Sequence, residues 1–255
     1  GLGGLPAESQ EGQDLYAPEL YFPGKAASFV SSFYLPLYYD RLGYPYNQGQ
    51  SLSCTCCAVA GAENYELTRN YQPLWYPAAY DRRVSPKWIY KKSGLQQCWV
   101  GRPPEQALDF LKNTGGALER WAPFNLNCDD DWDAQNTEWD RPYLKIENWR
   151  KIRSRGQSGI DEIKTYLTKF ERPIITLITV DENFKSGDFS NDAVWTWNDW
   201  APNVLNWHTM LIVGWDDSRA AFKVRNSWGS DWGDGGEVWI SYDTFKGNAW
   251  IDCFF

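Results

Sequence analysis

One histidine, His208, stands in a chain of 255 residues, together with six cysteines at positions 54, 56, 57, 98, 128 and 253. An imidazole that takes a thiol's proton makes a thiolate, and the thiolate is the attacking species. The base has a single candidate. The thiol is chosen by its surroundings. Asn47-Gln48-Gly49-Gln50-Ser51-Leu52 is polar and glycine-bearing, so it reads as a loop. From Cys54 the chain turns small and apolar, with no Gly or Pro before Gly61, and reads as a buried helix ending near Asn70. Ser53 is the expected N-cap, which puts Cys54 in the first turn. Unpaired N–H groups and the positive end of the helix dipole favour a thiolate there.

The elements that must bring base and thiol together follow from pattern. His208 opens the apolar run to Trp215, Asp216-Asp217-Ser218-Arg219 is a turn signal, and Ala220 to Asn226 runs back. This predicts a hairpin. Centred on Asp217, it places His208 and Asn226 face to face, about 5 Å apart between backbones. An amide there accepts from the imidazole and holds the ring. Cys54, His208 and Asn226 thus fall into nucleophile, base and orienter roles.

These segments resemble the papain-like cysteine peptidases (C1-type, clan CA). Asn47-Gln48-Gly49-Gln50-Ser51-Leu52-Ser53-Cys54-Thr55 is similar to the family's N-Q-G-x-C-G-S-C-W. Asn226-Ser227-Trp228-Gly229-Ser230-Asp231-Trp232-Gly233-Asp234-Gly235-Gly236 matches N-S-W-G-x-x-W-G-x-x-G in full. The separation of His208 and Asn226 from Cys54 is a little longer than the roughly 130–150 residues of the family, which implies an insertion between the lobes. Thr55 stands where the family has an aromatic residue, and Ser51-Leu52 where it has Cys-Gly.

The resemblance implies an α+β fold of two lobes: a helical left lobe over about residues 45–135, and an antiparallel sheet or barrel as the right lobe over about 29–44 and 136–255. The site lies in the cleft between them. It implies Gln48 and the Cys54 backbone N–H as an oxyanion hole, Trp228 as a shield over the Asn–His bond, and Trp232 in the same loop. Gly101 stands in the cleft wall, with Trp99 and Val100 replacing smaller residues. Leu177 falls near the apolar wall of the main specificity pocket. Trp207 belongs to a cluster with Trp195, Trp197 and Trp200 that packs the core or lines the leaving-group side. Cys98, Cys128 and Cys253 resemble halves of family disulfides whose usual partners are missing, so either non-standard pairs form or the thiols are free, and free thiols are the expectation. A resting thiolate–imidazolium pair is expected, and the chemistry takes no metal or organic cofactor. Partners are a peptide or protein substrate, with a propeptide or proteinaceous inhibitor, acting on a monomer. A secreted or extracytoplasmic location is implied. Hydrolysis of peptide bonds, as an endopeptidase, is the expected activity. A peptide ligase on the same site, or a silent binding protein, are the alternatives.

Composition bounds the rest. A net charge of −8 argues against a nucleic-acid partner. No apolar run approaches the roughly 20 residues of a membrane span. Residues 1–28 carry Gly, Pro and polar groups without helical periodicity, and are expected as an extended N-terminal arm ahead of a peptidase domain at 29–255. They lack the basic start and apolar centre of a signal peptide, so the chain is expected to be soluble and already processed. Asp129-Asp130-Asp131 and Asp133 lack the alternation of a calcium loop and read as solvated. Elsewhere, helices are expected at 86–92, at 103–113 and from Ser158 as cap, and a buried strand at 173–180.

Overall fold

The computed structural model describes residues 29–71, 83–95, 98–124, 144–187, 189, 192–197, 204–247 and 251–254. The arm at 1–28, Cys128, Trp200 and the aspartates at 129–131 and 133 lie outside these residues. The chain opens with strand β1 (Ser32–Tyr34) and helix α1 (Tyr38–Leu42), then the long helix α2 (Cys54–Tyr71), α3 (Pro86–Lys92) and α4 (Pro104–Asn113). Ser85 caps α3 by accepting from Trp88 N at 3.0 Å, with Pro86 in the first turn, as such a start requires. Helix α2 is the hub, packing on α1, α3 and α4 and also on the sheet. Its small residues permit that approach. A Cβ at Gly61 would stand 2.8 Å from Leu211 Cδ1, so glycine lets the helix lie this close to the strand behind it without displacing that leucine side chain.

The second half supplies the sheet: β2 (Lys151–Ile152), helix α5 (Gly156–Phe170), β3 (Ile174–Asp181), helix α6 (Glu182–Ser186), β4 (Val194–Trp195), β5 (Val204–Asp216), β6 (Ala221–Arg225), β7 (Glu237–Ser241), helix α7 (Tyr242–Lys246) and β8 (Ile251–Phe254). Its strand order is β2-β8-β3-β5-β6-β7-β4, with β1 on β5. Pairing is antiparallel except for β4 on β7, so the sheet is mixed rather than wholly antiparallel as expected. Every residue of β3 is buried, which is why it reads as a continuous apolar run without alternation.

Two expected details are corrected. Helix α5 begins at Gly156, with Arg155 at the cap position and no side-chain cap, so Ser158 sits inside the first turn. Gly159 lies against the Ser154 backbone, too close for a Cβ, and this lets the turn start early. In the β5–β6 hairpin the register shifts between Ile212 and Gly214, and Leu211 lies opposite Arg225. His208 and Asn226 are therefore diagonal neighbours rather than face to face.

The segment that delivers Gln48 is anchored by a buried charge. Glu237 is fully enclosed, and its Oε1 accepts from Arg225 Nε at 3.0 Å. Its Oε2 accepts from Tyr39 OH at 3.0 Å and Tyr38 OH at 3.2 Å. Arg225 Nη1 donates to Gly43 O at 2.6 Å. A buried pair held this completely fixes register more than it adds stability, and here the register is that of α1 against β6 and β7.

Candidate active site

Ser53 O accepts from Cys57 N at 3.0 Å, closing the first helical turn, so Ser53 does occupy the cap position and Cys54 is the first helical residue. The Ser53 hydroxyl turns away from the helix end, to Ser51 Oγ at 2.7 Å and Cys57 Sγ at 3.9 Å. Three thiols share this turn. Burial pushes Cys56 up to about 12 and Cys57 well above the ordinary thiol value, so both stay protonated and unreactive. That leaves Cys54, which is in no disulfide, as the candidate nucleophile of the three. Its neighbour Thr55 is joined to Thr209, the neighbour of His208, by a 2.9 Å hydrogen bond. The two candidates thus sit one residue either side of a direct junction between α2 and β5.

His208 lies mid-strand, opposite Ile178 of β3. Its Nε2 stands 2.6 Å from Asn226 Oδ1. Oδ1 can only accept, so the Nε2 hydrogen is donated and Nδ1 keeps its lone pair. Oδ1 is fixed in turn by Ser227 N at 2.7 Å. Nδ1 is buried with no hydrogen-bond partner among the described residues, the state a general base needs. Trp228 stacks on the ring at 4.6 Å between centroids, and Phe184 meets both from α6, at 6.2 Å from His208 and 5.7 Å from Trp228. Burial pushes His208 down to about 3, against the pull of its bond to Asn226. Burial thus disfavours the charged ring, while the thiolate that would favour it in the expected thiolate–imidazolium pair is not among the causes of this shift. Cys54 and His208 both have 0% exposure.

Gln48 is fully buried and gripped from three sides. Its Oε1 accepts from Ser227 Oγ at 2.6 Å, its Nε2 donates to Ser51 O at 2.7 Å, and its backbone N donates to Ser227 O at 2.9 Å. A bridge between Asn47 and Trp228 continues the seam. The nucleophile loop and the Asn226–Trp228 segment are thus laced together.

The outer residues divide. Trp232 packs against Trp228 and Phe184, each at 5.2 Å, behind the imidazole. Trp207 is half-buried, one residue before the base. Leu177 is fully buried opposite Thr209. Gly101 is buried, while Trp99 and Val100 beside it are exposed and so are not packed between elements. Cys253 stays a free thiol, whereas Cys98 is disulfide-bonded, correcting the expectation for that residue; its partner lies outside the described residues. Sequence reasoning missed Phe184, Ser227 as the clasp on Gln48, and Thr209. Ser227 stands inside the matched asparagine segment and was legible in principle. Phe184 carries no local signal. Among the described residues no group of three metal-ligating side chains occurs, and no helix is long and apolar enough to cross a membrane.

Comparison with known proteins agrees with this arrangement. The model of the papain family cysteine proteases matches residues 46–250. Cathepsin L 1 of Paramecium tetraurelia is 26% identical over 200 residues, covering 75% of this chain and 53% of that protein, so the chain spans about half the length of this curated relative. Xylellain, a cysteine protease from Xylella fastidiosa, superposes with a TM-score of 0.74 at 21% identity, covering 100% of this chain and 94% of that one. The proCathepsin B S9 of Trypanosoma congolense gives a TM-score of 0.66 at 15% identity, over 100% and 85% of the chains. The fold is papain-like α+β, and the chain belongs to the papain family of cysteine proteases.

Proposed function

We propose that the protein is a cysteine peptidase using Cys54, His208, Asn226 and Gln48. The observation that carries the reading is the 2.6 Å bond from His208 Nε2 to Asn226 Oδ1, which leaves the buried Nδ1 bare as acceptor. Nδ1 takes the Cys54 proton as sulfur attacks the peptide carbonyl. The oxyanion is held by Cys54 N–H and Gln48 Nε2. His208 then protonates the leaving amine, and a thioester remains. Water, losing a proton to Nδ1, attacks the thioester and releases the acid, and the proton returns to sulfur. No metal or organic cofactor enters these steps.

The helices at about 45–135 form the left lobe, and about 29–44 with 136–255 form the right. The substrate is a peptide or protein, cut internally, and the enzyme works as a monomer. Three of the solved neighbours are proforms, which supports control by a propeptide or similar protein. The Cys98 disulfide supports a secreted or extracytoplasmic location, since such bonds persist in oxidising surroundings.

The test is labelling with a thiol-directed epoxide peptide, followed by digestion of a peptide library. Labelling of Cys54 together with hydrolysed products supports the peptidase. Spliced products would favour a ligase, and no labelling of folded, reduced protein would leave a binder.

A further inference from the structure

Resting on the peptidase reading, we propose that Thr55 and Thr209 are positioning residues: a hydroxyl chain that sets the spacing of nucleophile and base. Both are fully buried. Thr55 Oγ1 lies 2.7 Å from Arg102 O and 2.9 Å from Thr209 Oγ1. A carbonyl oxygen can only accept, so the single hydroxyl proton of Thr55 goes to Arg102 O, and Thr55 must accept from Thr209. The chain has one direction, Thr209 to Thr55 to Arg102.

The three links sit where position matters most. Thr55 follows Cys54 on α2, Thr209 follows His208 on β5, and Arg102 follows Gly101 in the cleft wall. A pocket of about 20 Å³, with room for a single water and open toward the surface, borders Thr209 beside this junction, lined by Tyr46, Cys57, Gly61, Met210 and Asn226 among others. A buried hydrogen bond whose partners are both satisfied adds direction to the packing of helix on strand there. His208 makes this spacing decisive. Its buried Nδ1 has no other partner among the described residues, so it exchanges a proton with the sulfur only while the two are held within hydrogen-bond reach.

The direction of the chain predicts a division of labour. Thr209→Val removes only the Thr209–Thr55 link. It should lower kcat roughly tenfold, the rate equivalent of one buried hydrogen bond, with KM little changed. Thr55→Val also frees Arg102 O, and should raise KM as well as lower kcat.

The experiment measures peptide hydrolysis and, separately, the rate of Cys54 alkylation by iodoacetamide across pH, with the site mapped by mass spectrometry. In folded Thr209→Val the acid limb of the alkylation profile should move to higher pH, and Thr209→Ser should restore it. A wild-type profile in Thr209→Val, or equal impairment in Thr209→Ser, overturns the proposal. Should the valine variants not fold, the native enzyme still decides. Slowly exchanging Thr55 and Thr209 hydroxyl protons support the chain, and rapid exchange of both overturns it. Alkylation at Cys54 without any peptide cleavage by the native enzyme would sink the peptidase reading instead, and the alkylation profile would still judge the hydroxyl chain.

Discussion

Gln48 Oε1 and Ser227 Oγ, 179 residues apart, meet at 2.6 Å inside the protein. The bond ties the proposed oxyanion donor to the residue after the proposed orienter, so the two halves of the machinery hold each other in place. Ser227→Ala leaves a buried amide oxygen without its donor and frees Gln48 to turn. Its kcat should fall roughly tenfold, while Gln48→Ala should lose about 10²–10³, as expected when one oxyanion donor is removed. Steady-state kinetics on a peptide amide checks both, and a Ser227→Ala enzyme as fast as its parent would dismiss the clasp.

The Asn226 amide fixes which nitrogen of His208 carries hydrogen. Asn226→Ala removes alignment but not the base. It should cost roughly tenfold in kcat, less than the 10²–10⁴ that general-base catalysis supplies, whereas His208→Ala should abolish turnover. Full activity in a folded His208→Ala protein would refute the assignment.

Trp228 covers the imidazole at 4.6 Å. Trp228→Phe keeps a smaller ring there, and Trp228→Ala opens the His208–Asn226 bond to water. A hydrogen bond weakens where water competes for it, so kcat should fall in the order Trp, Phe, Ala. Equal rates in the three proteins would count against the shield.

Glu63 is buried on α2, and its Oε2 has no hydrogen-bond partner among the described residues. Burial alone pushes its carboxyl from the ordinary 4.5 up to about 8. Between those two values the folded state keeps a proton that the unfolded chain has lost. Stability from this group is therefore complete below about pH 4.5 and is lost as pH rises through 8. Glu63→Gln cannot ionise. It should melt on the order of 10 °C above its parent at pH 8 and level with it at pH 4.5, in thermal scans at both. The same displacement at both pH values would show that ionisation is not the cause.

The chemistry was legible because residue type limits it: one imidazole, a thiol at a helix start and a fully matching asparagine segment leave little choice. Strands β3, β5 and β6 were legible from their apolar runs, whereas the two-residue β2 and β4 are too short to leave one. The hairpin register was not, because the shift between Ile212 and Gly214 depends on backbone pairing rather than on composition. The Cys98 disulfide was missed because the usual partner position holds Ser51, and sequence does not say where else a cysteine turns. The depth at which His208 is buried, which disfavours a charged ring, appears only in three dimensions. Thr55 was noticed as a departure from the family, but its link to Thr209 needs the fold.

The proposed nucleophile and base both have 0% exposure, and this predicts a kinetic consequence. A substrate too large to reach them without displacing their neighbours should show an apparent affinity lowered by the fraction of molecules in which those neighbours have moved. Small electrophiles should therefore outrun bulky ones at Cys54 by more than their intrinsic reactivities allow. The resting molecule is thereby spared much of the idle reactivity of an open thiol.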